Sequence, residues 1–248
     1  MTRLPKVLER EPLVDAVFEV RMGGEPHLAD LLPGVLFGLL EFKPDIRRLP
    51  AAEIPLPVRL QDPNLAFAPV IRLDWSGFTI SLGDRSLVIG CKMPYPKWPK
   101  FKDFILKVID KVSSAGITGS VDRYSLKYVN LIQAPTIEDQ ISKINLAVKV
   151  GDVEAEDDNL NVQVHKREND ILHIMSVISG ASTKLYNEKE VYGIVVDIDS
   201  IRSIQFANFA MFSKELNPAI ESLRLANKAK FFGCLTESTI KEMRPEYD

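Results

Sequence analysis

The residues of this chain best suited to chemistry lie on one short run, Arg123-Tyr124-Ser125-Leu126-Lys127-Tyr128-Val129-Asn130. Read as a strand, it sends alternate side chains to opposite faces: Arg123, Ser125, Lys127 and Val129 to one, Tyr124, Leu126, Tyr128 and Asn130 to the other. Arg123 and Lys127 together would hold an anionic ligand through charge-assisted hydrogen bonds. Tyr128 and Asn130 complete this candidate ligand-binding set, Asn130 because a buried amide among apolar neighbours must find a partner. The competing structural reading makes one face core and the other solvated sheet surface.

Other candidates are thinner. Asp15 and Glu19 share a face of an earlier strand and could act as paired acids, but no base or nucleophile accompanies them. His165 and His173 would face each other across a hairpin if the turn at Glu168-Asn169-Asp170 has three residues, and could then share a metal with a carboxylate; a two-residue turn destroys that pairing. Residues 92–127 hold eight lysines and arginines against three aspartates, interleaved with Tyr95 and Trp98. Lys97, Trp98, Lys100 and Lys107 are therefore candidates for nucleic-acid contact, basic groups following a backbone while an aromatic stacks a base. Most of these lysines fall on the outer face of an amphipathic helix, where solvated charge is ordinary. No phosphate-binding glycine loop, HExxH or GxSxG is present; Ile178-Ser179-Gly180-Ala181-Ser182 is only a small-residue turn. No metal site and no cofactor is implied.

The elements that must carry these residues belong to a chain of 248 residues, 46% apolar and 26% charged, with a formal net charge of −3. At roughly 150 residues per domain the length allows one or two domains with a full core, and the apolar content argues against disorder. The charge balance gives no argument for coating a nucleic acid. Cys91 and Cys234 stand far apart with no histidine beside them, which predicts neither a disulfide framework nor zinc, and hence a cytoplasmic protein. The first ten residues lack the apolar core of a signal peptide. The apolar run 28–40 is broken by Asp30, Pro33 and Gly34 and falls short of the roughly 20 residues of a membrane span.

Pro12 to Arg21 alternates as a strand, and His27 to Leu40 reads as a short helix disturbed at Pro33. Six prolines between residues 42 and 69 predict no helix there, only short edge strands such as 54–60. Glycine-containing turns then separate three runs, 70–75, 78–82 and 86–90, as an antiparallel meander. From Trp98 to Ser114 the period changes: Phe101, Phe104, Ile105, Val108, Ile109 and Val112 form a helical stripe, stopped at Gly116. The pattern then restarts. Val121 to Gln133 is a strand, 136–142 a helix capped by Thr136, 144–150 a strand, 160–166 with 171–178 a hairpin, 192–201 a strand, and 208–230 a long helix burying Phe209, Phe212, Leu216, Ile220 and Leu223. The acidic stretch 152–158 reads as a solvated loop, and Thr236 as the cap of a closing helix. The expectation is an α+β fold of two pseudo-repeated halves, 1–118 and 119–248, each an antiparallel sheet packed with one long helix and the two fused into one body.

Three stretches together resemble a sporadically distributed, largely uncharacterised bacterial family of about this length: Pro12 to Val20, Arg123 to Asn130, and Ala229 to Glu237 continuing to Arg244-Pro245. That family often carries a histidine about one turn before the closing phenylalanine, where this chain has Ala226-Asn227. The resemblance brings no established activity, and the family's patchy occurrence implies a setting in bacterial defence or toxin-related loci. Sequence and resemblance together give a non-enzymatic regulator or adaptor that binds a protein or small ligand, its partner a neighbouring gene product or a second copy. The alternatives are a sensor or enzyme for a nucleotide or phosphate ligand, and a nucleic-acid-binding protein. No membrane association is expected.

Overall fold

The computed structural model describes residues 4–24, 27–39, 44–75, 77–154 and 159–247. After the two-residue β1 (Val7–Leu8), the alternating run becomes β2 (Leu13–Met22). Ala16, Phe18, Val20 and Met22 are buried along it while Asp15 is exposed and Glu19 and Arg21 are half-buried, the period of two that separates a core face from a wetter one. Helix α1 (Leu28–Leu39) contains Pro33; Leu40 of the expected helix lies outside the described residues.

The proline-rich segment corrects the expectation that no helix forms there. It holds the exposed strand β3 (Asp45–Arg48), a 3₁₀ turn at Pro50–Glu53 and a helix, α2 (Leu56–Gln61), in place of the strand expected at 54–60. Pro55 is the N-cap of α2 and Pro57 falls in its first turn. First-turn N–H groups have no partner inside a helix, so proline there removes nothing.

The meander is β4 (Pro69–Trp75), β5 (Phe78–Gly83) and β6 (Ser86–Cys91); Ser76 of its first turn lies outside the described residues. Helix α3 (Trp98–Ser114) buries Phe101, Ile105, Val108, Ile109 and Val112, worth about 1.5–3 kcal/mol each for the larger side chains. Phe104 stacks on Phe78 with ring centroids 4.1 Å apart. The helix ends at Ala115, followed by Gly116 at a positive φ of 68°, the left-handed conformation that glycine adopts without a Cβ clash.

Next come β7 (Val121–Gln133) and α4 (Ile137–Ser142), where the Thr136 side chain accepts the Asp139 N–H. The strand expected at 144–150 reduces to β8 (Lys149–Val150), paired with β9 (Val153–Glu154), and to an isolated bridge between Ile144 and Leu235. Ile144 is buried and Leu146 packs on the same core, while Asn145 donates to the Leu235 carbonyl. An irregular segment laid against a core alternates as a strand does. Residues 155–158 of the acidic stretch lie outside the described residues. The remainder is β10 (Asn161–Glu168), β11 (Ile171–Lys184), β12 (Glu190–Phe206), α5 (Phe209–Cys234), α6 (Glu237–Glu242) and β13 (Pro245–Glu246), which pairs with β1.

Nine strands are hydrogen bonded in the order β10-β11-β12-β7-β2-β6-β5-β4-β3, a large antiparallel sheet in an α+β fold. Contacts divide the chain into two units. The first is Met1–Ala16, Lys127–Ser200 and Leu223–Asp248; the second is Val17–Leu126 and Ile201–Ser222. The boundary expected at 118/119 falls inside the second. In the first unit Ile194, Val196 and Ile198 of β12 pack with Phe231, Phe232 and Leu235. In the second, Phe18, Tyr124, Phe209, Phe212 and Leu216 are at most 1% exposed.

Candidate functional site

Strand parity on β7 separates the candidate ligand residues. Arg123 and Lys127 lie on the half-buried side, and Tyr128 and Asn130 are buried on the other. In the first unit Lys127 Nζ lies 2.7 Å from Asp197 Oδ2. Burial alone would lower the Lys127 pKa, but the hydrogen bond and charge of Asp197, with the charges of Asp199 and Asp15, outweigh it and raise the pKa. This lysine is already paired, and an anionic ligand would have to displace Asp197. Tyr128 lies under the Arg224 guanidinium, 4.4 Å from its ring centroid, and Asn130 Nδ2 donates to the Val196 carbonyl on β12 at 3.4 Å. The amide has the partner its burial demands, in a neighbouring strand. In the second unit Arg123 Nη2 lies 3.2 Å from Glu19 Oε2, so Glu19 takes an ion pair instead of acting with Asp15 as a second acid.

A cavity of about 400 Å³ opens in the second unit, lined by Tyr124, Phe206, Phe212 and Leu216, with Arg202 and Glu215 supplying charge and Ile204, Pro218 and Ala219 completing it. Three elements build it. Tyr124 comes from the buried side of β7, Arg202, Ile204 and Phe206 alternate along the end of β12, and α5 contributes Phe212, Glu215, Leu216 and Ala219 at helical spacing. The rings brace one another: Tyr124 and Phe212 centroids are 5.6 Å apart, Phe206 and Phe212 6.0 Å, Phe209 and Phe212 6.0 Å. Arg202 Nη1 donates to the Tyr124 hydroxyl at 3.1 Å, which fixes both polar ends at the cavity wall. A mostly apolar concavity with a few placed polar groups is the usual form of a small-molecule site.

The first unit also holds a polar knot. His173 Nδ1 is 2.9 Å from Ser200 Oγ, and Asn227 Nδ2 donates to the same oxygen at 3.0 Å and to the Ile198 carbonyl at 2.8 Å. All three side chains are at most 1% exposed. A serine facing a histidine has the elements of a nucleophile pair, but no substrate reaches a sealed hydroxyl, and the group serves to satisfy buried polar atoms. Burial, helped by the Lys230 charge and opposed by Glu168, lowers the His173 pKa. The signal missed in the sequence is that Ser200 and His173 sit at the buried parity of otherwise apolar strands.

The hairpin turn has two residues, Asn169 and Asp170, because Glu168 pairs with Ile171. His173 therefore stands opposite Lys166 and His165 opposite Ile174, so the two imidazoles point to opposite faces. His165 is exposed and bonds Gln163 at 2.9 Å. Among the described residues no group of three or more His, Cys, Asp or Glu side chains is placed to hold a metal, and no helix is long and apolar enough to cross a membrane. Lys97, Lys100 and Lys107 are exposed on or beside α3. Trp98 is half-buried, its Nε1–H donating to Glu221 at 3.0 Å, and Lys102 bonds the same carboxylate at 2.6 Å. Its ring edge is thus engaged within its own unit. Compared with family models, curated proteins and solved structures, the chain matches none.

Proposed function

We propose that the chain is a non-enzymatic ligand-binding regulator whose ligand occupies the aromatic cavity of the second unit. The observation that carries this reading is the lining: Tyr124, Phe206 and Phe212 offer ring faces, and Arg202 offers a guanidinium already oriented by the Tyr124 hydroxyl. The ligand class is a small apolar or aromatic molecule with one anionic end. We favour this cavity over Lys127 as the anion site because Asp197 already pairs with that lysine and the charges of Asp199 and Asp15 also act on it.

Anilinonaphthalene sulfonate has this chemistry, a fused ring with one sulfonate, and serves as the probe. Native protein should give saturable fluorescence enhancement. Ala219→Trp, which fills the cavity from α5, should weaken binding by at least about tenfold, a loss of about 1.4 kcal/mol, while a cooperative urea transition is retained, which separates the result from dye binding to a loosened core. Equal binding to the filled variant would remove the cavity from the proposal.

The adaptor form, with a neighbouring gene product or a second copy as partner in a cytoplasmic defence or toxin-related setting, rests on the family resemblance. Independent migration of the two proteins in size-exclusion chromatography at micromolar concentration would overturn the neighbouring-gene form. The duplication into two similar halves is likewise proposed on element order, strand, short helix, strands and long helix, first from β2 to α3 and again from β7 to α5.

A further inference from the structure

In the second unit Arg21 links two further guanidinium groups, Arg123 through a shared carboxylate and Arg85 through a shared aromatic ring. On β2, Arg21 Nε lies 3.1 Å from Glu19 Oε1; on β7, Arg123 Nη2 lies 3.2 Å from Oε2 of the same side chain. Arg21 also stands over the Phe67 ring at 4.5 Å from its centroid, and Arg85, from the turn between β5 and β6, stands over that ring at 5.1 Å. The Arg85 position is fixed by its Nε–H, which donates to the Met22 carbonyl at 3.1 Å. The sequence hides this group because its members are spread from residue 19 to residue 123 and only strand pairing collects them. Arg21 faces Ser86 in the register of β2 with β6, which brings Arg85 alongside.

Among the described residues Glu19 offsets one of the three positive charges, leaving two. Like charges held this close repel unless an anion lies among them. The guanidinium forks are incompletely used: Arg21 meets Glu19 through Nε and Arg123 meets it through Nη2, and the enclosed Nε of Arg123 has no hydrogen-bond partner among the described residues. The two side chains are still 30% and 26% exposed, so a solute can reach them. Guanidinium forks match phosphate oxygens in paired hydrogen bonds. A dianion would neutralise the group, whereas a carboxylate monoanion would leave one charge uncompensated.

We infer that Arg21, Arg85 and Arg123 form a binding site for a dianionic phosphate group, with Glu19 setting the charge of the site. It goes beyond the cavity reading, since Arg123 and Tyr124 are strand neighbours whose side chains leave β7 on opposite sides, and either site can fail without the other.

The test is calorimetric titration of the full chain with inorganic phosphate and with pyrophosphate at constant ionic strength, with acetate as the comparison anion. Saturable binding of the phosphates and none of acetate is expected. Arg123→Gln and Arg85→Gln should each weaken binding at least about tenfold, and Arg123→Lys, which keeps the charge but loses the fork, should weaken it less. Glu19→Gln should strengthen binding by about tenfold, since it removes the competing carboxylate. A cluster that only ties the strands together predicts the reverse, lower stability in Glu19→Gln and no gain in phosphate affinity. Absence of phosphate binding in both wild type and Glu19→Gln overturns the inference, as does unchanged affinity in Arg123→Gln. Should Arg85→Gln fail to fold, Arg123→Lys and Glu19→Gln still decide it.

Discussion

His173 is biased toward its neutral form for a physical reason that can be read out as pH-dependent stability. Its imidazole is sealed against Ser200 and Asn227, and burial with the nearby Lys230 charge lowers its pKa below the ordinary 6.5, against a smaller opposing pull from Glu168. In the unfolded chain the same ring takes a proton near pH 6.5. Below that pH the unfolded state binds more protons than the folded one, so stability falls as pH falls; well above it this contribution is fully present and flat. Urea unfolding at pH 7.5 and 5.5 should show wild type losing stability on acidification. His173→Gln keeps a polar partner for Ser200 without a titrating ring and should lose less. Equal acid sensitivity in the two proteins would assign the slope to other groups. The salt bridge of Arg59 with Asp84 has the opposite emphasis, since both side chains are buried and bonded twice, at 2.8 and 2.9 Å. The hydrogen bond and charge of Asp84 raise the Arg59 pKa against the cost of burial. Asp84→Ala leaves that guanidinium buried without its counter-ion and should cost about 3–5 kcal/mol in urea unfolding.

At the scale of elements, Gly193 shows why β12 and β7 can lie where they do. A Cβ at that position would stand 2.1 Å from the Ile132 carbonyl oxygen and 2.8 Å from its carbon, and a backbone cannot yield as a side-chain tip can. Gly193→Ala should therefore lower the urea midpoint by an amount corresponding to about 1–3 kcal/mol, whereas Gly233→Ala, with nothing near its added methyl, should not. Elements fixed by a sustained period were legible in the sequence: α3 and β7 have the expected ends, and Phe209, Phe212, Leu216, Ile220 and Leu223 form the buried stripe of α5. Elements fixed by one local choice were not. The histidine pairing depended on a single turn residue, and a slip of one reverses every face. Helix α2 depended on whether proline fell in a first turn or in an interior. Of the candidate sites, the sequence supplied Arg123 and its strand face but not its company. Arg21 and Arg85, and likewise Arg202 and Phe212, reach their places through pairing and packing between distant segments, which no local pattern encodes.

At the scale of the whole molecule, the second unit is assembled from two chain segments, Val17–Leu126 and Ile201–Ser222, so the chain cannot be cut between its apparent halves without removing part of a core. A fragment ending at residue 118 keeps α1, α3 and the meander but loses Tyr124, Phe209, Phe212 and Leu216, each at most 1% exposed in the intact chain. Four large buried side chains are worth about 6–12 kcal/mol at 1.5–3 kcal/mol each. That equals most of the roughly 5–15 kcal/mol by which a domain is stable. The fragment would also expose the apolar surfaces those side chains cover. Residues 1–118 expressed alone should therefore give a poorly dispersed amide NMR spectrum and no cooperative urea transition, while the intact chain gives both signs of a folded protein. A dispersed spectrum with a cooperative transition from the fragment would mean that the 201–222 segment decorates a core complete without it. The aromatic cavity would then be a surface added to that core, because Arg202, Ile204, Phe206, Phe212 and Leu216 all come from that segment.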